Sequence, residues 1–289
     1  MSKTILITGA TGNVSAGVIE HLKNSDHRLI GLVRNPDKAR HLADVGVELR
    51  QGDMEKPWTL ACAFQGVDAV WLLTPPGPRA PEQSSNAVWA ARNAGVGHIV
   101  RMSAIGASHT APTINGRLHG LSDAELMASG VPYTIVRPHF FMQNLLMVSE
   151  SIARQGVMYL PLGDSRMGLI DSRDISEFAA RILTSTGHEG QIYTLTGPAS
   201  LTMHDVAAAI GQAIGKDLSY QDVSPDTVKR AQLDAGADEW MVHLLLDYFA
   251  AYSTNWGDLV TPDFSHVVGK PARSIDDFAH DFVGAFSGR

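Results

Sequence analysis

A doubly wound α/β fold, with a mostly parallel sheet and a small helix-rich C-terminal lobe, is predicted by three features of this 289-residue sequence. Short β-branched runs alternate with longer amphipathic stretches through the first half. The runs are apolar on both faces, as strands covered on both sides by helices must be. A glycine-rich turn follows the first run and opens a helical stretch.

In chain order the strands are KTILITG, RLIGLVR, VELRQGD, DAVWLLT, HIVRMSA and YTIVRP. Helical spacing falls between them at about 15–23, 36–44, 57–65, 82–94 and 119–129, with Gly95, Gly130 and Pro132 punctuating helix ends. The prolines of TPPGPRAP, at 74–81, force an ordered loop after the fourth strand. Beyond residue 150, GLIDSRDISEFAARIL and GQIYTLTG suggest a strand, a helix and another strand, and helix-like spacing returns at 203–214, 225–235, 237–252 and 274–284. The expected division is a nucleotide-binding domain at 1–150, its sheet completed by segments from about 168–197, and a mainly substrate-binding lobe at 151–289.

Composition removes several function classes. Net charge is −7, and the 23 lysines and arginines form no basic run, which argues against a nucleic-acid surface. No stretch of eighteen apolar residues is present to cross a bilayer, and MSKTILITGA is too short for a secretory signal, so a cytoplasmic protein is expected. The single cysteine, Cys62 in TLACAFQG, forms no internal disulfide and reads as part of a packed helix face. The twelve histidines are scattered without ligand spacing, so no metal is expected. The expected partner is a small-molecule substrate; monomer and homodimer both stay open.

The turn ITGATGNVSAG, at 7–17, meets the physical need of a pyrophosphate: backbone N–H groups and the positive end of a helix dipole after a strand. Gly9 allows the tight turn, Gly12 lets the backbone approach a phosphate, and Thr11, Asn13 and Val14 complete the phosphate-facing half. The third glycine of a G-x-x-G-x-x-G spacing is replaced by Ser15, at the position that serves helix-to-strand packing. A plain strand-to-helix turn is the bland alternative. The second strand ends in GLVRNPDK, and Arg34 with Lys38 suits a 2′-phosphate, so NADP(H) is preferred and NAD(H) is possible. A solvated surface arginine is the alternative there. In QGDM, Asp53 with Met54 is placed to meet an adenine, and Asp53 reads equally well as a helix N-cap.

The stretches TGATGNV, VRNP, QGD, LMASGVPYTIVRPHFFMQNLL and HVVGKPARSIDDFAHD together resemble the NmrA-like branch of the atypical short-chain dehydrogenases/reductases, quinone and azo-dye reductases included. The resemblance spans almost the whole chain. It implies an extended Rossmann domain with a seven-stranded sheet, NAD(P) binding and a small substrate-binding lobe.

In that superfamily, carbonyl chemistry uses a serine after the fifth strand, then a tyrosine and a lysine four apart on the next helix. Ser103 matches the serine, but residues 104–132 contain neither tyrosine nor lysine, so the usual phenolic acid is missing. The resemblance places His119 at the helix start, facing a nicotinamide, as a catalytic and cofactor-binding candidate beside Ser103; a capping or partly buried histidine is the alternative. Asp123, one turn on, is a candidate to orient the imidazole, although the family pattern has glutamate there. Tyr133 is expected to pack in the core.

Thr74, Pro75, Pro138 and Phe141 are expected along the cofactor, and Phe140 and Asn144 toward substrate, because open α/β sheets bind ligands at their carboxyl edge. Trp240, Leu244, Tyr248 and Tyr252 form a helical stripe that reads as lobe core or, through Trp240 and Tyr248, as a wall for a flat aromatic substrate. A hydride acceptor that needs little acid help fits the missing tyrosine: a quinone, an azo group or another conjugated electrophile. The competing expectation is a non-catalytic NAD(P)-binding redox sensor that acts through a protein partner.

Overall fold

The computed structural model describes residues 2–288; Met1 and Arg289 lie outside them. The first half runs β1 (Thr4–Ile7), α1 (Asn13–Leu22), β2 (Arg28–Val33), α2 (Arg40–Ala43), β3 (Glu48–Gln51), β4 (Ala69–Leu72), α3 (Ala80–Asn93), β5 (His98–Met102), α4 (Ile114–Ala128) and β6 (Tyr133–Pro138). There follow α5 (Ser149–Gln155), β7 (Val157–Leu160), β8 (Arg166–Met167), α6 (Ser172–Thr184), β9 (Gln191–Leu195) and β10 (Leu201–Thr202). The chain ends with α7 (Met203–Ile214), β11 (Ser219–Asp222), α8 (Pro225–Asp234), α9 (Glu239–Tyr252), α10 (Asp263–Val268), α11 (Ile275–Asp281) and α12 (Val283–Ser287).

Seven strands form one sheet in the order β3-β2-β1-β4-β5-β6-β9. β1 pairs in parallel with both β2 and β4, and β4 to β6 continue in parallel. The strand order reverses beside β1, which makes its carboxyl end the topological switch point where such sheets bind ligands. β4 is buried along its whole length and β2 from Leu29 onward, in keeping with their apolar sequences.

Several expectations need correction. β3 is an edge strand and only partly buried, with Glu48 paired to Arg28 and Arg50. The helix expected at 57–65 is a single 3₁₀ turn, Pro57–Thr59, followed by irregular turns. The Arg50 guanidinium donates to the carbonyls of Ala63 and Gln65 at the end of this segment. Leu60, Ala63 and Phe64 are buried there, but Cys62 is exposed rather than packed. Of the two strands expected after residue 150, β9 joins the large sheet, while β8 pairs only with β10 in a separate two-stranded ladder. β11, which pairs in parallel with β7, escaped the sequence reading because SYQD buries only Tyr220.

The chain forms two compact units, one made of 1–111, 115–138 and 175–194, the other of 112–114, 139–174 and 195–289. In the first, Leu6, Ile30, Val70, Leu72, Ile99 and Ile135 of the sheet pack on Phe64, Val88 and Leu126. Tyr133 is partly buried against this core. The second has its own core around Met158, Leu160, Met203, Ile210, Phe249 and Phe278.

Candidate functional site

The glycine turn is held at the end of β1. Thr8, fully buried, donates its hydroxyl to the Leu73 carbonyl at 2.8 Å and accepts from the Leu73 N–H at 2.8 Å, so the ends of β1 and β4 are tied together. Gly9 has φ +58°, and the N–H of Gly12 donates to the Gly9 carbonyl at 2.8 Å. A Cβ on Gly12 would lie 3.2 Å from that carbonyl. α1 begins at Asn13 without a side-chain cap from Gly12, and Thr11, Gly12 and Asn13 are exposed. The first-turn N–H groups have no intrahelical acceptor, and no acidic side chain occupies that turn, so the cradle suits an anion.

Ser15 is used rather than merely tolerated. Its side chain is fully buried, donates to the Thr8 carbonyl at 2.9 Å and accepts from the indole N–H of fully buried Trp71 at 3.0 Å. A separate close approach, of α1 to α6, needs Gly17, where a Cβ would meet the Ser176 side chain.

Arg34 directly follows β2 and, like Lys38, is exposed. Among the described residues no carboxylate pairs with either; Asp37 pairs with Arg40 instead. Asp53 shapes a turn, donating its N–H to Thr59 Oγ1 at 2.9 Å and accepting at Oδ1 from the Glu55 N–H at 3.0 Å. The Met54 carbonyl accepts from Asn86 at 2.8 Å. Thr74 is buried, Pro75 is exposed and Pro138 is buried at the end of β6.

A buried polar cluster lies where β5, β6 and α4 meet. Arg101 and Asp123, each with a side chain only 1% exposed, form an ion pair. Asp123 Oδ2 also accepts from Arg137 at 2.9 Å and from the Ser103 hydroxyl at 2.8 Å. Arg101 reaches Ser84 Oγ at 3.3 Å and His119 Nδ1 at 3.2 Å. The expectation that Asp123 orients the imidazole is therefore corrected: it bonds the two arginines and Ser103, and its link to His119 passes through Arg101. Burial first, then the Arg101 and Arg137 charges, push the His119 pKa down to about 3. Sequence reasoning missed Arg101 and Arg137. The available signal was a lone arginine inside each apolar strand, HIVRM and YTIVRP, since arginine is rarely buried unless paired.

The remaining candidates lie in the second unit. Phe140 is buried, 5.7 Å edge-on to Tyr252 and 6.5 Å from Phe249. Phe141 and Asn144 are half-buried, the Asn144 N–H donating to the Phe141 carbonyl at 3.0 Å. Tyr252 stacks on His139 at 5.3 Å and on Tyr248 at 5.8 Å. Of the α9 stripe, Leu244 and Tyr252 are core and Trp240 and Tyr248 stay half-buried. Burial holds the His139 pKa down to about 4; its Nε2 donates to the Gly257 carbonyl at 2.9 Å and Nδ1 accepts from the Phe140 N–H at 2.7 Å.

Strand order and glycine turn together define a Rossmann-type α/β protein. The chain belongs to the NmrA-like family, whose model matches residues 1–255. It is 36% identical over 282 residues to the NAD(P)H azoreductase of Xenophilus azovorans, covering 98% of this chain and 99% of that protein. Its fold matches an Escherichia coli NADPH-dependent quinone oxidoreductase in complex with NADPH, with a TM-score of 0.89 and 29% identity over 96% of this chain and 99% of that one. It matches a Citrobacter triphenylmethane reductase in complex with NADP(H) with a TM-score of 0.88 and 26% identity, over 97% and 99% of the two chains.

Proposed function

We propose that this chain is an NAD(P)H-dependent reductase, with NADPH preferred, that reduces a quinone-like or other conjugated small molecule. The observation that carries the reading is the pairing of an open phosphate cradle with a polar cluster that holds no proton donor of the dehydrogenase kind. The Ser103 hydroxyl is committed to Asp123, His119 is held neutral, and no tyrosine or lysine stands in 104–132.

The N–H groups at Gly12–Val14 would hold the pyrophosphate, Arg34 and Lys38 the 2′-phosphate, and Asp53 and Met54 the adenine end. Thr74, Pro75, Ser103, His119, Pro138 and Phe141 are proposed along the nicotinamide half. When bound, the nicotinamide supplies a hydride. Phe140 packs edge-on against Tyr252, and the half-buried Asn144, Trp240 and Tyr248 are proposed to meet a flat acceptor. A cytoplasmic location is part of the same proposal. Relatives of this chain that reduce azo dyes and quinones support the acceptor class.

The test is to titrate the purified protein with NADPH and NADH, then follow loss of nicotinamide absorbance with quinones, azo dyes and enones beside unconjugated ketones. Turnover of the conjugated acceptors alone is expected. Cofactor binding with no acceptor consumed would replace the reductase with a cofactor-sensing regulator.

A further inference from the structure

We infer that Arg101, anchored by Asp123, is a positioning residue that fixes His119 as its Nε2–H tautomer, so that the imidazole serves as a neutral hydrogen-bond donor and not as a proton source. The inference rests on the reductase reading only for its catalytic meaning; the tautomer stands on geometry.

A guanidinium carries five N–H donors and no acceptor. Its contact with His119 Nδ1 at 3.2 Å is a hydrogen bond only when that nitrogen is unprotonated, and a neutral imidazole must then carry its proton on Nε2. The orientation of Arg101 is not free to change, because Asp123 holds one amino group and Ser84 meets Nε from α3. Protonating Nδ1 would set N–H against N–H and add a third cation to a buried cluster of two. The charged groups acting on the ring are Arg101 from β5 and Arg137 from β6; Asp123, one turn on in α4, is shared by Arg101, Arg137 and Ser103, and the Glu125 carboxyl of the same helix also acts on Arg101.

The consequence is a restriction on substrate. An acceptor that takes a hydride gains a proton and two electrons and becomes an anion until water protonates it. With the Arg101 and Arg137 guanidinium groups acting on the ring, and an N–H dipole rather than an acid, the cluster can stabilise a delocalised anion such as a hydroquinone monoanion. It cannot hand a proton to a localised alkoxide at the moment of transfer. Conjugated acceptors are selected by this arrangement, and simple ketones are rejected.

Long-range ¹H–¹⁵N spectra of histidine-labelled protein, without cofactor and assigned by His119→Gln, read the tautomer directly. A pyridine-like Nδ1 and a pyrrole-like Nε2 are expected from pH 5 to 8, with no titration. A protonated Nδ1 at pH 7, or a midpoint near the free value of about 6.5, would overturn the inference. In Arg101→Gln the Arg137–Asp123 pair remains, while the amide can meet Nδ1 as acceptor as well as donor, so an Nδ1–H form of His119 should become populated at pH 7, and Arg101→Lys, a donor only, should restore the Nε2–H form in part. An unchanged tautomer in the folded Gln variant would remove Arg101 from the role. These readouts need no turnover. If the tautomer is as stated but no acceptor is consumed, the reductase reading fails by itself.

Discussion

Replacing Ser15 by glycine would restore the uninterrupted glycine spacing of a dinucleotide turn, and the structure says that this change is harmful. Ser15 Oγ joins the Thr8 carbonyl and the Trp71 indole N–H, and all three residues are sealed from solvent. Removing the hydroxyl orphans the indole donor, which costs about 1–3 kcal/mol. Glycine inside the first turn of α1 adds about 0.5–1 kcal/mol of backbone entropy. The sum is about 1.5–4 kcal/mol for Ser15→Gly and about 1–3 kcal/mol for Ser15→Ala. With a urea slope of about 2 kcal/mol/M, the midpoint of the first unit should fall by about 1–2 M in the glycine variant. The assay is urea unfolding followed by circular dichroism, with wild type most stable, alanine next and glycine least. A Trp71→Phe background removes the donor, so Ser15→Ala should cost about 1 kcal/mol less there. Equal midpoints for Ser15→Gly and wild type, or no coupling to Trp71, would refute the reasoning.

Arg34→Ala should weaken NADPH by about 10- to 100-fold, equivalent to a charge-assisted contact of about 1.5–3 kcal/mol, and leave NADH nearly unchanged; equal losses in calorimetric titrations would sink the 2′-phosphate assignment. Gly17→Ala would drive a methyl group into Ser176. An overpacking cost of about 1–3 kcal/mol should appear as a lower thermal midpoint, partly relieved by Ser176→Gly. His139, 2% exposed, has a folded pKa of about 4 against about 6.5 unfolded, so the unfolded chain binds the extra proton as pH falls. Its contribution is whole above about 6.5 and is lost progressively down to about 4, on the order of 3 kcal/mol in all; urea midpoints measured across that range should flatten in His139→Asn.

The sheet was legible because its strands bury both faces. TILI, LIGLV, AVWL and HIV carry a continuous apolar signal that only a doubly covered parallel sheet explains. The 57–65 segment was misread because its apolar residues Leu60, Ala63 and Phe64 recur at helical spacing and are buried, yet the backbone there forms successive turns, the last of them held by Arg50 from β3. Apolar periodicity reports which side chains are buried, and tertiary context decides the backbone that carries them.

The sequence by itself determined the parallel α/β plan, the glycine turn, the basic residues after β2 and the absence of the dehydrogenase tyrosine and lysine, because each is a local pattern of residue types. Only the tertiary structure decided what the departures mean. Ser15 became a bridge between β1 and β4 because Trp71 lies opposite it, fifty-six residues away. Ser103 and Asp123 became parts of one cluster with Arg101, Arg137 and His119 because adjacent parallel strands and α4 bring them together. The proton of His119 is assigned by a partner eighteen residues away. Burial and hydrogen-bond direction arise from contacts between distant segments, and a linear pattern does not carry them.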